Sequence, residues 1–187
     1  MVSPEGEVFP WKLGADGLWM FRMCHEGWKR FERSDNRVVC MKIVNESSIS
    51  KYNLGQKCYY EKPYYASVAG VHSVEESVWM REEAARHSDG EPMNYWISGI
   101  RDGTCESSDS HDKKNQFKWE DNVTAGSTAL TDSNAVFSCR SAETETNCLV
   151  IMSQMPNRPQ IIGDIDCATT VSIGGGFCIY DIYRILK

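Results

Sequence analysis

Two periodicities run through the chain. Val74, Val78, Trp79 and Ala85 fall on one face of a 3.6-residue period, which predicts an amphipathic helix. Ser73 stands just ahead of it with Glu76 three residues on, the pattern of a capping box. Gly90, after His87-Ser88-Asp89, is the stop signal. Elsewhere the apolar residues come in short runs that read as strands: Val38–Val44, Tyr95–Ile100, Phe117–Trp119, Cys148–Met152, Gln160–Ile162 and Phe177–Ile182. Arg33-Ser34-Asp35-Asn36 reads as the tip of a hairpin that includes Phe31 and the Val38–Val44 run. Residues 1–23 suggest short strands around a turn at Gly14 and Gly17.

The stretches between these elements are polar. Residues 45–57 and 102–116 read as loops, and Tyr59–Gly70 is helix-like but interrupted by Pro63. Residues 155–159 and the acidic run after Ile162 read as turns, and Gly174-Gly175-Gly176 precedes the last strand. Residues 120–147 form a long loop rich in Thr, Ser, Asn, Asp, Ala and Gly, a length that usually signals function. Few helices, many short strands and one long loop predict an α+β domain.

Composition narrows the reading. In 187 residues the hydrophobic fraction is 41%, enough for a buried core, so disorder is excluded. No apolar run approaches the roughly 18 residues of a spanning helix, so the chain is not expected to cross a membrane. The formal net charge is −6 and basic residues do not cluster, which argues against nucleic acid as partner. Eight cysteines (24, 40, 58, 105, 139, 148, 167 and 178) form an even set without any C-x₂-C pair. That favours four disulfides in a secreted, extracellular chain over structural zinc. Eight cysteines allow about 105 pairings, so counting does not choose among them. The first residues carry neither a basic n-region nor an apolar h-region, so the expectation is a mature chain whose signal has been removed. Asn45-Glu46-Ser47 and Asn122-Val123-Thr124 are candidate glycosylation sites.

Landmarks in order then resemble a C-type lectin-like domain, long form, over roughly residues 24–182. Cys24-His25-Glu26-Gly27-Trp28 with Phe31 and Cys40 resembles the opening hairpin. Cys58, then Ala69-Gly70-Val71-His72-Ser73 and Glu75-Glu76, resembles the first helix and the start of the second. Trp96-Ile97-Ser98-Gly99-Ile100 resembles the Trp-Ile-Gly core motif with one serine inserted, and Phe117-Lys118-Trp119-Glu120-Asp121 the Phe-x-Trp-x-Asp strand. Cys148–Ile151, Gly163–Cys167 and Phe177-Cys178 resemble the remaining strands, and the Arg101 to Cys105 step resembles the secreted nematode group.

The resemblance implies two helices, two small antiparallel sheets and the long loop, with residues 1–23 as an extension and 24–187 as the domain. It implies the pairs Cys24–Cys40, Cys58–Cys178 and Cys148–Cys167, leaving Cys105 and Cys139 to tether the long loop. By loop entropy the 120-residue link is worth at most about 5 kcal/mol and the 19-residue link about 3. Trp96 and Trp119 are expected to be buried and near one another.

Function follows from the same resemblance. Sugar-binding members hold calcium through a Glu-Pro-Asn or Gln-Pro-Asp tripeptide and a Trp-Asn-Asp motif. Val123–Asn147 contains no proline, and Ile162-Gly163-Asp164 stands where Trp-Asn-Asp is expected. Calcium needs six to eight oxygens, so no cofactor is expected. The resemblance therefore implies a secreted module that binds a protein or glycan through Glu120, Asp121, Asp132, Asn134, Asp164 and Asp166. The alternative is a calcium-dependent lectin with rearranged ligands, drawn from Asp132, Asp164 and Asp166. No G-x-S-x-G, H-E-x-x-H or P-loop pattern occurs, so an enzyme is not expected.

Overall fold

A computed structural model describes residues 12–13, 19–20, 23–61, 65–101, 116–138, 147–154 and 159–182. The N-terminal segment contributes a two-residue ribbon, β1 (Lys12–Leu13) antiparallel to β2 (Trp19–Met20). The expected hairpin follows as β3 (Lys29–Glu32) and β4 (Val38–Asn45). Its tip closes through Asn36, which takes the left-handed conformation that asparagine tolerates (φ 64°). Then come α1 (Lys51–Tyr60), β5 (Ser67–Val68), α2 (Val74–His87), β6 (Asn94–Arg101), β7 (Phe117–Trp119), β8 (Ala135–Val136), β9 (Asn147–Met152), β10 (Ile162–Asp166) and β11 (Ile173–Asp181).

The strands from β3 onward join in one nine-stranded sheet instead of two antiparallel ones. The join is β11 against β6, which run parallel, and β10 against β8 is parallel as well. Side chains alternate across this sheet with the period of two that strands impose. Val39, Met41, Tyr95, Ile97, Leu149, Ile151, Phe177 and Ile179 face α2 and pack with Met80 and Ala84. Val38, Cys40, Trp96, Val150, Cys178 and Tyr180 face the other way and pack with Leu54 and Cys58 of α1. Each helix thus seals one face.

Helix α1 corrects the loop reading of residues 45–57. Ser50 caps it, its side chain accepting from the Asn53 amide at 3.2 Å. Only Leu54 and Cys58, one turn apart, are buried, so the apolar signal was too thin to show a helix. In α2 the buried face is Glu76, Ser77, Met80 and Ala84, whereas Val74 is exposed. The Ser73 cap forms as expected, but the Glu76 carboxylate accepts from the His72 amide rather than from Ser73.

One turn reading becomes strand, and the last strand starts earlier than read. The acidic run Gly163–Asp166 lies inside β10, paired with β9. The three glycines lie inside β11, because the strand is pressed from both faces. A Cβ on Gly174 would sit 2.6 Å from the Tyr95 ring, and one on Gly176 2.2 Å from Leu54. The serine inserted in the core motif has a physical counterpart: β6 bulges between Trp96 and Ile100 against β9.

Trp96 is wholly buried and its indole N–H donates to the Ile49 carbonyl at 2.9 Å. Trp119 does not join it. It is half-buried, packs on the α2 side of the sheet, and donates to the Gly126 carbonyl at 2.8 Å. Cys24–Cys40, Cys58–Cys178 and Cys148–Cys167 are disulfides, as the resemblance implied. Cys105 and Cys139 lie outside the described residues. No helix among the described residues is long and apolar enough to cross a membrane.

Candidate functional site

The long loop is built from the inside. Asp121 is buried and its carboxylate accepts from the Gly70 amide (2.7 Å), the Val123 and Thr124 amides (3.1 and 2.9 Å) and the Thr124 hydroxyl (2.6 Å). Gly70 must lack a side chain there, since a Cβ would lie 2.5 Å from Thr124 Oγ1. Arg33 reaches in from the hairpin tip. It pairs in fork geometry with Glu76, through Nε to Oε1 at 2.8 Å and Nη2 to Oε2 at 3.0 Å. Its Nη1 donates to Thr124 Oγ1 at 3.0 Å. A buried ion pair therefore clamps hairpin, α2 and loop together.

Farther along, Asn134 is buried and donates to the Ala129 carbonyl at 2.7 Å while exchanging hydrogen bonds with the Ser77 hydroxyl. Asp164 on β10 accepts from Arg101 Nη2 at 2.8 Å and from the Ser138 amide at 2.6 Å. The Asp164 side chain is 1% exposed and that of Arg101 4%. The Arg101 guanidinium also lies over the Phe117 ring, 4.7 Å from its centroid.

The six candidate side chains thus separate. Asp121, Asn134 and Asp164 turn inward and spend their oxygens on the protein's own donors. Asp132, Asp166 and Glu120 stay exposed. Asp166 accepts from the Ala168 amide at 2.9 Å, and Glu120 pairs with Lys51 Nζ at 2.7 Å. They do not converge: no group of three or more His, Cys, Asp or Glu suited to a cation occurs among the described residues. The surviving motif acid, Asp164, is already paired with an arginine. Beside Asp164 and Ser138 a cleft of about 380 Å³ also takes in Asn94, Gln154 and Ser172.

Sequence reasoning missed a concavity of about 760 Å³ on the α1 side. Its wall is the helix face Tyr52, Gln56, Tyr59 and Tyr60, and its floor includes Val68, Ile100 and the Cys148–Cys167 disulfide. The signal that marks it is the tyrosine spacing at i, i+7 and i+8, which places all three rings on one side of a helix. Lys51 closes one end. Its ammonium donates to Glu120 and to the Ser98 and Gly99 carbonyls, the last two at 3.3 Å, which the β6 bulge turns toward it. Burial holds the Lys51 pKa below the usual lysine range, with Glu120 opposing the shift.

His72 Nε2 lies 2.9 Å from Ser34 Oγ, but its Nδ1 has no hydrogen-bond partner, so no carboxylate orients the ring as a nucleophile–base pair requires.

Among known proteins, this architecture is that of the C-type lectins. The chain matches the Ca2+-independent C-type lectin SPL-2 from Saxidomus purpuratus at 17% identity, over 84% of this chain and 93% of that one, with a TM-score of 0.50. It matches the C-type lectin CEL-I from Cucumaria echinata at 14% identity, over 84% and 97%, with a TM-score of 0.50. CEL-IV matches at 14% identity, over 84% and 92%, with a TM-score of 0.51. No protein-family model matches the chain, and neither does any curated protein. At these identities the likeness is one of fold.

Proposed function

We propose that the protein is a secreted recognition module that binds a protein or glycan ligand through its long-loop face, without calcium at the position of its motif acid. The observation that carries this reading is the buried Arg101–Asp164 pair. A guanidinium supplies the positive charge that a bound cation would otherwise bring to Asp164. The loop then holds its shape through Arg33, Glu76 and Asp121. The fold's occurrence in a lectin described as Ca2+-independent supports the same reading.

Disulfides linking distant parts of the chain fit an oxidising, extracellular setting. Asn45 and Asn122 are both exposed and so open to glycosylation. Placement within the secreted nematode group rests on the Arg101 to Cys105 spacing alone. The test is a glycan and ectodomain binding screen run with and without EDTA, beside a calorimetric calcium titration. Ligand binding that survives EDTA, with no calcium heat, is expected. Binding abolished by EDTA and restored by calcium defeats the reading.

A further inference from the structure

We propose a second ligand site beside the long-loop face: the α1 groove takes the ring of an uncharged sugar, without metal. It goes beyond the long-loop reading: the groove takes in Glu120 from the start of the loop, but neither Asp132 nor Asp166 lines it.

Four observations carry it. First, the groove displays aromatic faces that the fold does not use. Tyr52 is 75% and Tyr60 72% exposed, and Tyr59 meets the Tyr60 and Tyr65 rings edge-on at 5.4 and 5.3 Å. Tyrosine combines a flat apolar face with a hydroxyl and loses little entropy on contact, which suits a partner that is apolar on one face and polar at its edges. Second, Gly55 lies in the middle of α1 and lines the groove, where its Cβ would meet only Val68 Cγ2, at 3.9 Å. An interior helix glycine lowers helix stability, and no steric demand explains this one. What it preserves is the hollow itself.

Third, the charge pattern selects the ligand. Lys51 is the one cation among the described lining residues, and its three donors are taken by Glu120, Ser98 and Gly99. The Lys51 ammonium is thus not left for a carboxylate or sulfate, and the half-exposed Glu120 repels one. What the described lining offers is the Glu120 carboxylate and the tyrosine hydroxyls as acceptors, with the Gln56 amide, whose Nε2 donates to the Tyr52 hydroxyl at 3.1 Å. These match the hydroxyl donors of a neutral sugar whose C–H face rests on a phenol ring. Fourth, a volume of about 760 Å³ falls within the range of small-ligand sites.

The test is an array of mannose-, galactose- and N-acetylglucosamine-terminated oligosaccharides with sialylated and sulfated counterparts, run in EDTA. Calorimetry follows with the best neutral binder. Neutral sugars are expected to bind better than their acidic counterparts. Tyr52→Ala with Tyr60→Ala should weaken binding about tenfold or more, a loss of about 1.4 kcal/mol. Gly55→Leu should fill the hollow and abolish binding while the melting temperature holds or rises, so that lost binding is not mistaken for unfolding. Asp132→Asn with Asp166→Asn should bind as the parent does. Absence of any neutral-sugar binding overturns the proposal, as does equal or tighter binding of acidic sugars. Loss of the ligand in the Asp132/Asp166 variant alone also overturns it, and leaves the long-loop reading standing. A protein ligand from the ectodomain screen that is displaced by Tyr52→Ala, with no sugar binding, overturns the sugar and not the groove.

Discussion

Arg101 Nη2 donates to Asp164 Oδ2 at 2.8 Å, and both side chains are almost wholly removed from water. The two come from β6 and β10, which are not neighbours in the sheet, since β9 lies between them. The pair thus ties the end of the core-motif strand to the strand carrying the motif acid.

Removing one partner leaves an uncompensated buried charge. Arg101→Met or Asp164→Leu alone should each cost about 3–5 kcal/mol in urea unfolding. The double variant should recover most of that loss, because two apolar groups leave no orphan charge. Single variants within about 0.5 kcal/mol of the parent would show that the pair is solvated in solution.

The base of the long loop depends on the absence of a side chain at Gly70. Gly70→Ala places a methyl within 2.7 Å of both Thr124 Oγ1 and Asp121 Oδ2. Overpacking of this kind costs about 1–3 kcal/mol. The midpoint of chemical denaturation reads it directly, and a variant as stable as the parent would mean the loop base is free to shift.

Lys51 sets a pH signature. Its folded pKa lies below the unfolded value because burial penalises the ammonium. Between the folded value and about 10.4 the unfolded chain binds more protons, so this lysine makes stability rise with pH in that window. Tyr95 and Tyr180 act in the opposite sense above about pH 10, because burial raises both phenols. Comparing the parent with Lys51→Met at each pH isolates the lysine. The gap in stability should move in the parent's favour as pH climbs, and a constant gap contradicts the placement.

Trp96 fills the α1 side of the sheet. Trp96→Ala should cost about 3–5 kcal/mol. Replacing Cys58 and Cys178 together should cost more than replacing Cys148 and Cys167, about 5 against 3 kcal/mol as upper values. Equal losses, measured by denaturation of each double variant, would show that strain or residual denatured structure outweighs loop entropy.

Local chemistry made much of this legible in sequence. The Ser73 cap, the hairpin tip at Asn36, and the strands around Trp96 and Cys148 are specified by neighbours a few residues apart. Ordered landmarks then carried the disulfide pairs Cys24–Cys40, Cys58–Cys178 and Cys148–Cys167. What sequence could not show depends on partners far along the chain. Helix α1 is polar but for Leu54 and Cys58, and only the sheet beneath it makes those two residues enough. Glycines 174 and 176 read as lying ahead of the last strand, and only the close approach of Tyr95 and Leu54 shows why they sit within it. Asp121, Asn134 and Asp164 look like ligand groups in a polar loop, and each becomes internal because a donor arrives from elsewhere: the Gly70 amide, the Ser77 hydroxyl, the Arg101 guanidinium. A carboxylate is identical in sequence whether it faces water or an arginine 63 residues away, and only tertiary structure decides which.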